Sequence, residues 1–90
     1  MKFEWDEAKR KINIRKHGID FLDVIRIFDG QTVSFEDERF EYDEQRFITI
    51  GLLGIKVIVI VHTFIETDTI RILSARRATK DEQKRFFSLF

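Results

Sequence analysis

Ninety residues with no cysteine, 36% charged side chains and a formal net charge of zero fit one domain, residues 1–90, with a single core. Disulfides and thiolate chemistry are excluded. The longest apolar run, Val57 to Val61, falls far short of the ~20 residues a bilayer-spanning helix needs, so no membrane role is expected. The N-terminal stretch lacks an apolar signal core, and a cytoplasmic setting is the default expectation.

In chain order, Met1 to Trp5 reads as a short strand. Asp6 suits an N-cap and Glu7 the first turn of a helix running to His17, with Gly18 as its left-handed terminator. Trp5, Ala8 and Ile12 follow helical spacing and are expected to face inward, leaving a mostly basic outer face. Asp20 starts a second helix, with Ile19 and Val24 spaced as a hydrophobic staple. Its expected apolar stripe is Phe21, Val24, Ile25 and Phe28, and Asp29-Gly30 ends it.

The pattern then turns to strands. Thr32 to Phe35 reads as an edge strand. Glu36 to Glu44 is expected to be an exposed acidic turn or hairpin loop, with Asp37, Glu38 and Glu41 expected to steer a partner's association. Arg46 to Leu53 is a strand, and Gly54 marks a turn. Ile55 to Phe64 is apolar on both faces, as in a central strand. Thr69 to Arg77 is the last strand. Thr79-Lys80-Asp81-Glu82 is a capping box opening a final helix that carries Phe86, Phe87 and Phe90. The expected class is α+β, in the order β-α-α-β-β-β-β-α, with a mainly antiparallel sheet and the first two helices on one face.

The zero net charge hides segregation. Residues 1–18 carry six basic and three acidic side chains, residues 20–45 two basic and nine acidic, and residues 46–90 eight basic and four acidic. Basic ends suit a polyanion, while the acidic middle suits a basic partner or is simply a solvated loop. Neither Ser34 nor Ser74 lies in a nucleophile elbow, no glycine-rich phosphate loop occurs, and the two histidines form no metal-ligand spacing. No metal or cofactor is expected.

Basic side chains at the ends of elements remain: Lys16, His17, Arg46, Arg71, Arg76 and Arg77. Such a set suffices for RNA cleavage. A 2′-OH attacks its own 3′-phosphate, histidine takes or gives a proton, and arginines hold the charge of the transition state. Each residue also has a plainer reading. Lys16-His17 suits a helix C-terminus on electrostatic grounds alone. Arg76-Arg77 suits pairing with the acidic middle. His62, alternating with Ile58 and Ile60, reads as a core or rim histidine. Strict alternation puts Arg71 and Arg77 on one sheet face and Arg76 on the other, so a single site needs a bulge or a strand end to use all three.

The ordered signature Trp5-Asp6, Lys9, Asn13, Lys16-His17-Gly18 with Phe21, then Arg46-Phe47 with Ile50-Gly51, Val59 to Thr63, and Ile70-Arg71-Ile72-Leu73-Ser74-Ala75-Arg76 with Ala78 and Glu82 resembles the BrnT family of type II toxins over nearly the whole chain. The resemblance implies a RelE-like ribonuclease fold and an mRNA-degrading activity that arrests growth. It also implies a BrnA-like antitoxin with a ribbon-helix-helix region, through which the complex binds operator DNA. Carried over by motif, His17, Arg46 and Arg76 are the expected catalytic residues. Lys16, Arg71, Arg77 and Lys9 are expected to bind RNA, with Asn13 and Ser74 as weaker candidates. In one departure, Phe86 stands where such relatives usually carry a tyrosine, so proton transfer falls to histidine, cleavage is weak, or that tyrosine is not catalytic. Two other readings compete: a non-catalytic RelE-like module acting through its antitoxin in operon repression, and an interaction protein docking by its phenylalanine-rich last helix.

Overall fold

The computed structural model describes residues 1–38 and 44–90. The elements are β1 (Lys2–Glu4), α1 (Glu7–His17), α2 (Phe21–Val24) running into a 3₁₀ turn (Ile25–Asp29), β2 (Thr32–Glu36), β3 (Phe47–Leu53), β4 (Lys56–Ile65), β5 (Thr69–Arg77) and α3 (Lys80–Phe87). The five strands form one sheet in the order β1-β5-β4-β3-β2, with β1 parallel to β5 and the other pairs antiparallel. The expected class and element order are borne out.

The local signals act as their chemistry requires. Asp6 and Asp20 accept from the backbone N–H groups of Lys9 and Leu22, and Gly18 ends α1 at φ 70°. Thr79 and Glu82 close the capping box of α3 in both directions. No helix is long and apolar enough to cross a membrane among the described residues.

The sheet separates two cores. On one face Ile58, Ile60, Ile70, Ile72 and Ala75 pack beneath Phe21, Val24 and Ile27. On the other, Ile48, Ile50, Val57 and Val59 pack beneath Phe86 of α3. β4, apolar on both sides, feeds both.

Three expectations need correction. Ile12 is 55% exposed, and the one buried residue of α1 is Asn13. Asn13 Nδ2 donates to Ile19 O and Ala75 O, both at 2.9 Å, and its Oδ1 accepts from Ala75 N at 3.1 Å. β1 pairs only with residues 69–71 of β5, so the edge of β5 is open beyond them. There the amide of Asn13 replaces a neighbouring strand and satisfies backbone groups that burial would otherwise orphan. In the second helical segment, the buried residues are Phe21, Val24 and Ile27, while Ile25 and Phe28 are half-buried. The segment tightens into a 3₁₀ turn of three residues per turn, which exchanges the 3.6-residue stripe for spacing by three. Gly51 of β3 allows that close approach: a Cβ there would lie 2.4 Å from Ile27 Cγ2. The acidic stretch is not uniformly exposed. Asp37 is buried, and its N–H donates to Arg46 O at 2.8 Å, extending the β2–β3 pairing by one residue. Glu38 is exposed, whereas Glu41 lies outside the described residues.

Candidate nucleic-acid interface

A β-bulge decides which basic residues share a face. Thr63 of β4 pairs with Arg71, Val61 with Ser74 and Val59 with Arg76, with the register shift between Val61 and His62. Leu73 is the extra residue. Side chains two apart on β4 point the same way, so Arg71, Ser74 and Arg76 all lie on the α3 face. Arg77, opposite Ile58, lies on the other. The alternation expected from sequence, with Arg71 beside Arg77, is therefore overturned by one inserted residue.

Arg46 belongs to the same face as Arg71 and Arg76. Phe47 pairs with His62, and one residue further the register brings Arg46 opposite Thr63, whose hydroxyl donates to Gln45 O at 2.6 Å. Arg46 and Arg71 thus flank Thr63 across three strands, roughly 10 Å apart at the backbone. Arg71 and Arg76 are about 13 Å apart along the sheet.

Helix α1 supplies the remaining cations. Lys9, Asn13 and Lys16 follow one helical side, and with His17 they line a shallow depression of about 220 Å³ against Leu73 and Ser74 of β5. Lys16 is exposed and His17 half-buried. Both stand in the last turn, where helix carbonyls favour positive charge. Ser74 joins the two parts: it lines this depression and lies between Arg71 and Arg76 in the register. Lys9, Lys16 and His17 thus share one depression, Arg46, Arg71 and Arg76 share the α3 face, Ser74 borders both, and Arg77 lies on the opposite face. Asn13 sets the position of α1 on β5.

The arginines are held by carboxylates that sequence reading did not assign to them. Arg76 forks onto Glu82 at 2.8 and 2.9 Å, while Glu82 also accepts from Thr79 N at 2.8 Å. The guanidinium beside it pulls the Glu82 carboxyl down to about 2. Arg71 binds Glu4 at 3.1 Å, and Arg46 approaches Glu44 at 3.9 Å. The spacing Arg76 to Glu82, from strand end to first helical turn, was the available signal for the first pair. For Arg71 and Glu4, 67 residues apart, no local signal existed.

His62 is a core histidine. It is 2% exposed and is surrounded by the rings of Phe28, Phe47 and Phe64. Its Nε2 shares a 2.7 Å hydrogen bond with Thr49 Oγ1, which in turn meets Ser34 Oγ at 2.8 Å. Phe86 is likewise buried, 3% exposed against Phe87 and Phe90. Among the described residues, no group of three or more His, Cys, Asp or Glu is placed to hold a metal ion.

Residues 5–82 match the family model described as ribonuclease toxin, BrnT, of type II toxin–antitoxin system. Among solved structures, the chain is similar to the crystal structure of the Brucella abortus ribonuclease toxin BrnT. The identity is 30% and the TM-score 0.69, covering 89% of this chain and 99% of that one. No curated protein sequence matches significantly.

Proposed function

The chain belongs to the BrnT family of ribonuclease toxins of type II toxin–antitoxin systems, and from that premise we propose that it cleaves mRNA without a metal ion and arrests growth. A BrnA-like ribbon-helix-helix antitoxin binds it, and the pair reaches operator DNA through that antitoxin. The observation that carries this reading is the face shared by Arg46, Arg71 and Arg76, with Lys16 and His17 at its edge.

The chemistry follows from the residue types. A phosphate on this face meets arginines whose forks match its oxygens and offset the charge that builds as the 2′-oxygen attacks. Lys9, Lys16 and Arg71 hold the neighbouring backbone. His17 exchanges a proton with the 2′-hydroxyl or the 5′-leaving oxygen. Glu82, held ionised by Arg76, is too weak a base for that task and serves to position the guanidinium. Phe86 takes part in packing rather than proton transfer.

A second reading, a non-catalytic module acting through its antitoxin, is favoured by one observation: Arg71 and Arg76 already engage Glu4 and Glu82. Kinetics on RNA with the antitoxin-free chain separates the two. Arg76→Ala should lower the saturated rate by about 10²–10³, the range for loss of a preorganised electrostatic donor, with a far smaller loss of affinity. His17→Gln should flatten one limb of the pH–rate profile. Arg77→Ala, on the opposite face, should leave the rate unchanged. Parental toxicity from both His17→Gln and Arg76→Ala at matched protein levels would sink the site. A parent that cleaves no RNA leaves the binding module.

A further inference from the structure

We infer that the outer edge of β2 is the docking strand for an extended, basic segment of the antitoxin, whose alternate side chains enter apolar cavities on both sheet faces. This rests on the family reading for the existence of the partner and on the fold for its place. β3 pairs with one edge of Thr32–Glu36, and among the described residues no strand pairs with the other. An open edge offers backbone N–H and C=O groups to any strand that can lie along it.

Two cavities flank that edge. One of about 520 Å³ is walled by Phe28, Phe35, Phe47, Phe64 and His62, on the face that carries α1 and α2. The other, about 260 Å³, is walled by Val33, Phe35, Ile50, Phe86 and Leu89 on the α3 face, with Glu82 and Arg85 also in its lining. Phe35 contributes to both walls and is 48% exposed. Successive side chains of an added strand point to opposite faces, so consecutive apolar residues would fill the two cavities in turn. The exposed Ser34 carries the hydroxyl that begins the chain through Thr49 to His62.

Charge selects the occupant. Glu36 and Glu38 are exposed on this strand and just past its end, and Glu44 is exposed just before β3. RNA would bring phosphates into that field. A second copy of the chain would bring the same carboxylates. Like charge opposes both, whereas Lys or Arg between apolar side chains is attracted.

Hydrogen exchange of the full chain, with and without its purified antitoxin, tests the placement. Slower exchange in Thr32–Glu36 on complex formation is expected. Phe35→Ala should weaken the complex by about tenfold or more, as for an aromatic anchor. Glu36→Lys with Glu38→Lys should slow association and reduce its salt dependence. RNA cleavage by the free chain, measured alongside, should stay at the parental level in each variant. A chain that cleaves no RNA but still shows a protected edge keeps the docking strand and loses the enzyme reading. Unchanged exchange in β2 on antitoxin binding overturns the inference. Protection of β2 in the chain alone at rising concentration assigns the edge to a second copy, and loss of RNA binding in Phe35→Ala assigns it to RNA; either result overturns it too.

Discussion

His62 sits among three phenyl rings, and burial pushes its pKa down to about 4. In the unfolded chain a histidine titrates near ~6.5. Between these values the unfolded chain binds the extra proton and the native chain does not, so stability rises with pH across that window. The contribution is complete above about 6.5 and is lost as pH falls toward 4, by up to about 3 kcal/mol. Urea titrations at a series of pH values should show this slope, and His62→Gln should flatten it. A slope unchanged in the variant would place the titration elsewhere. Glu82 acts lower on the scale. Arg76 holds its carboxyl at about 2 against a usual 4.5, so the stabilisation is present above 4.5 and disappears as pH falls toward 2. Removing Arg76 therefore has a structural effect beside any kinetic one, which is why its rate must be read at matched folded protein.

Between strand and helix, two close contacts hold the elements in place. The amide of Asn13 joins α1 to the open edge of β5 and to Ile19. Asn13→Ala leaves three buried backbone groups without partners, each costing about 1–3 kcal/mol when unsatisfied. Partial relaxation should leave a net loss of at least about 2 kcal/mol by urea denaturation. A change within about 0.5 kcal/mol, the usual range for a surface substitution, would mean that this amide does not hold the helix. Gly51 permits the 3₁₀ turn to lie on β3, and Gly51→Ala should cost about 1–3 kcal/mol by overpacking against Ile27. In an Ile27→Ala background the same change should cost less, and strict additivity of the two would argue against the contact. These elements also show what the sequence disclosed. Caps, the capping box, the staple and the two-sided β4 follow from residue types a few positions apart, and they stand where expected. The bulge at Leu73 does not: the adjacent apolar pair Ile72-Leu73 breaks strict alternation, but which residue is inserted is fixed by the partner strand. Nor does the 3₁₀ turn, whose tightening is permitted by a glycine on β3, 24 residues beyond Ile27. The basic residues were legible by type, but their common face depended on that one insertion. Glu4 and Glu82, their carboxylate partners, went unassigned.

For the molecule as a whole, the cations at the proposed cleavage site come from side chains, so RNA cleavage should persist in excess EDTA. Loss of activity there, with restoration by a divalent ion and an unaffected substrate, would overturn that expectation. The pairing of the sheet has a different consequence, for synthesis. Lys2–Glu4 pairs with Thr69, Ile70 and Arg71, and Asn13 waits for Ala75, 62 residues later. Contacts between such distant stretches form only after the intervening loop has closed. A nascent chain that has not passed Ala75 has neither its edge strand in place nor α1 seated. Lys16 and His17 are made early, yet they gain their position beside Ser74 only once the chain has been made through Ala75. Truncated products that stop within β4 would carry those cations but lack the surface that gathers them, so the site is assembled only after β5 has been made.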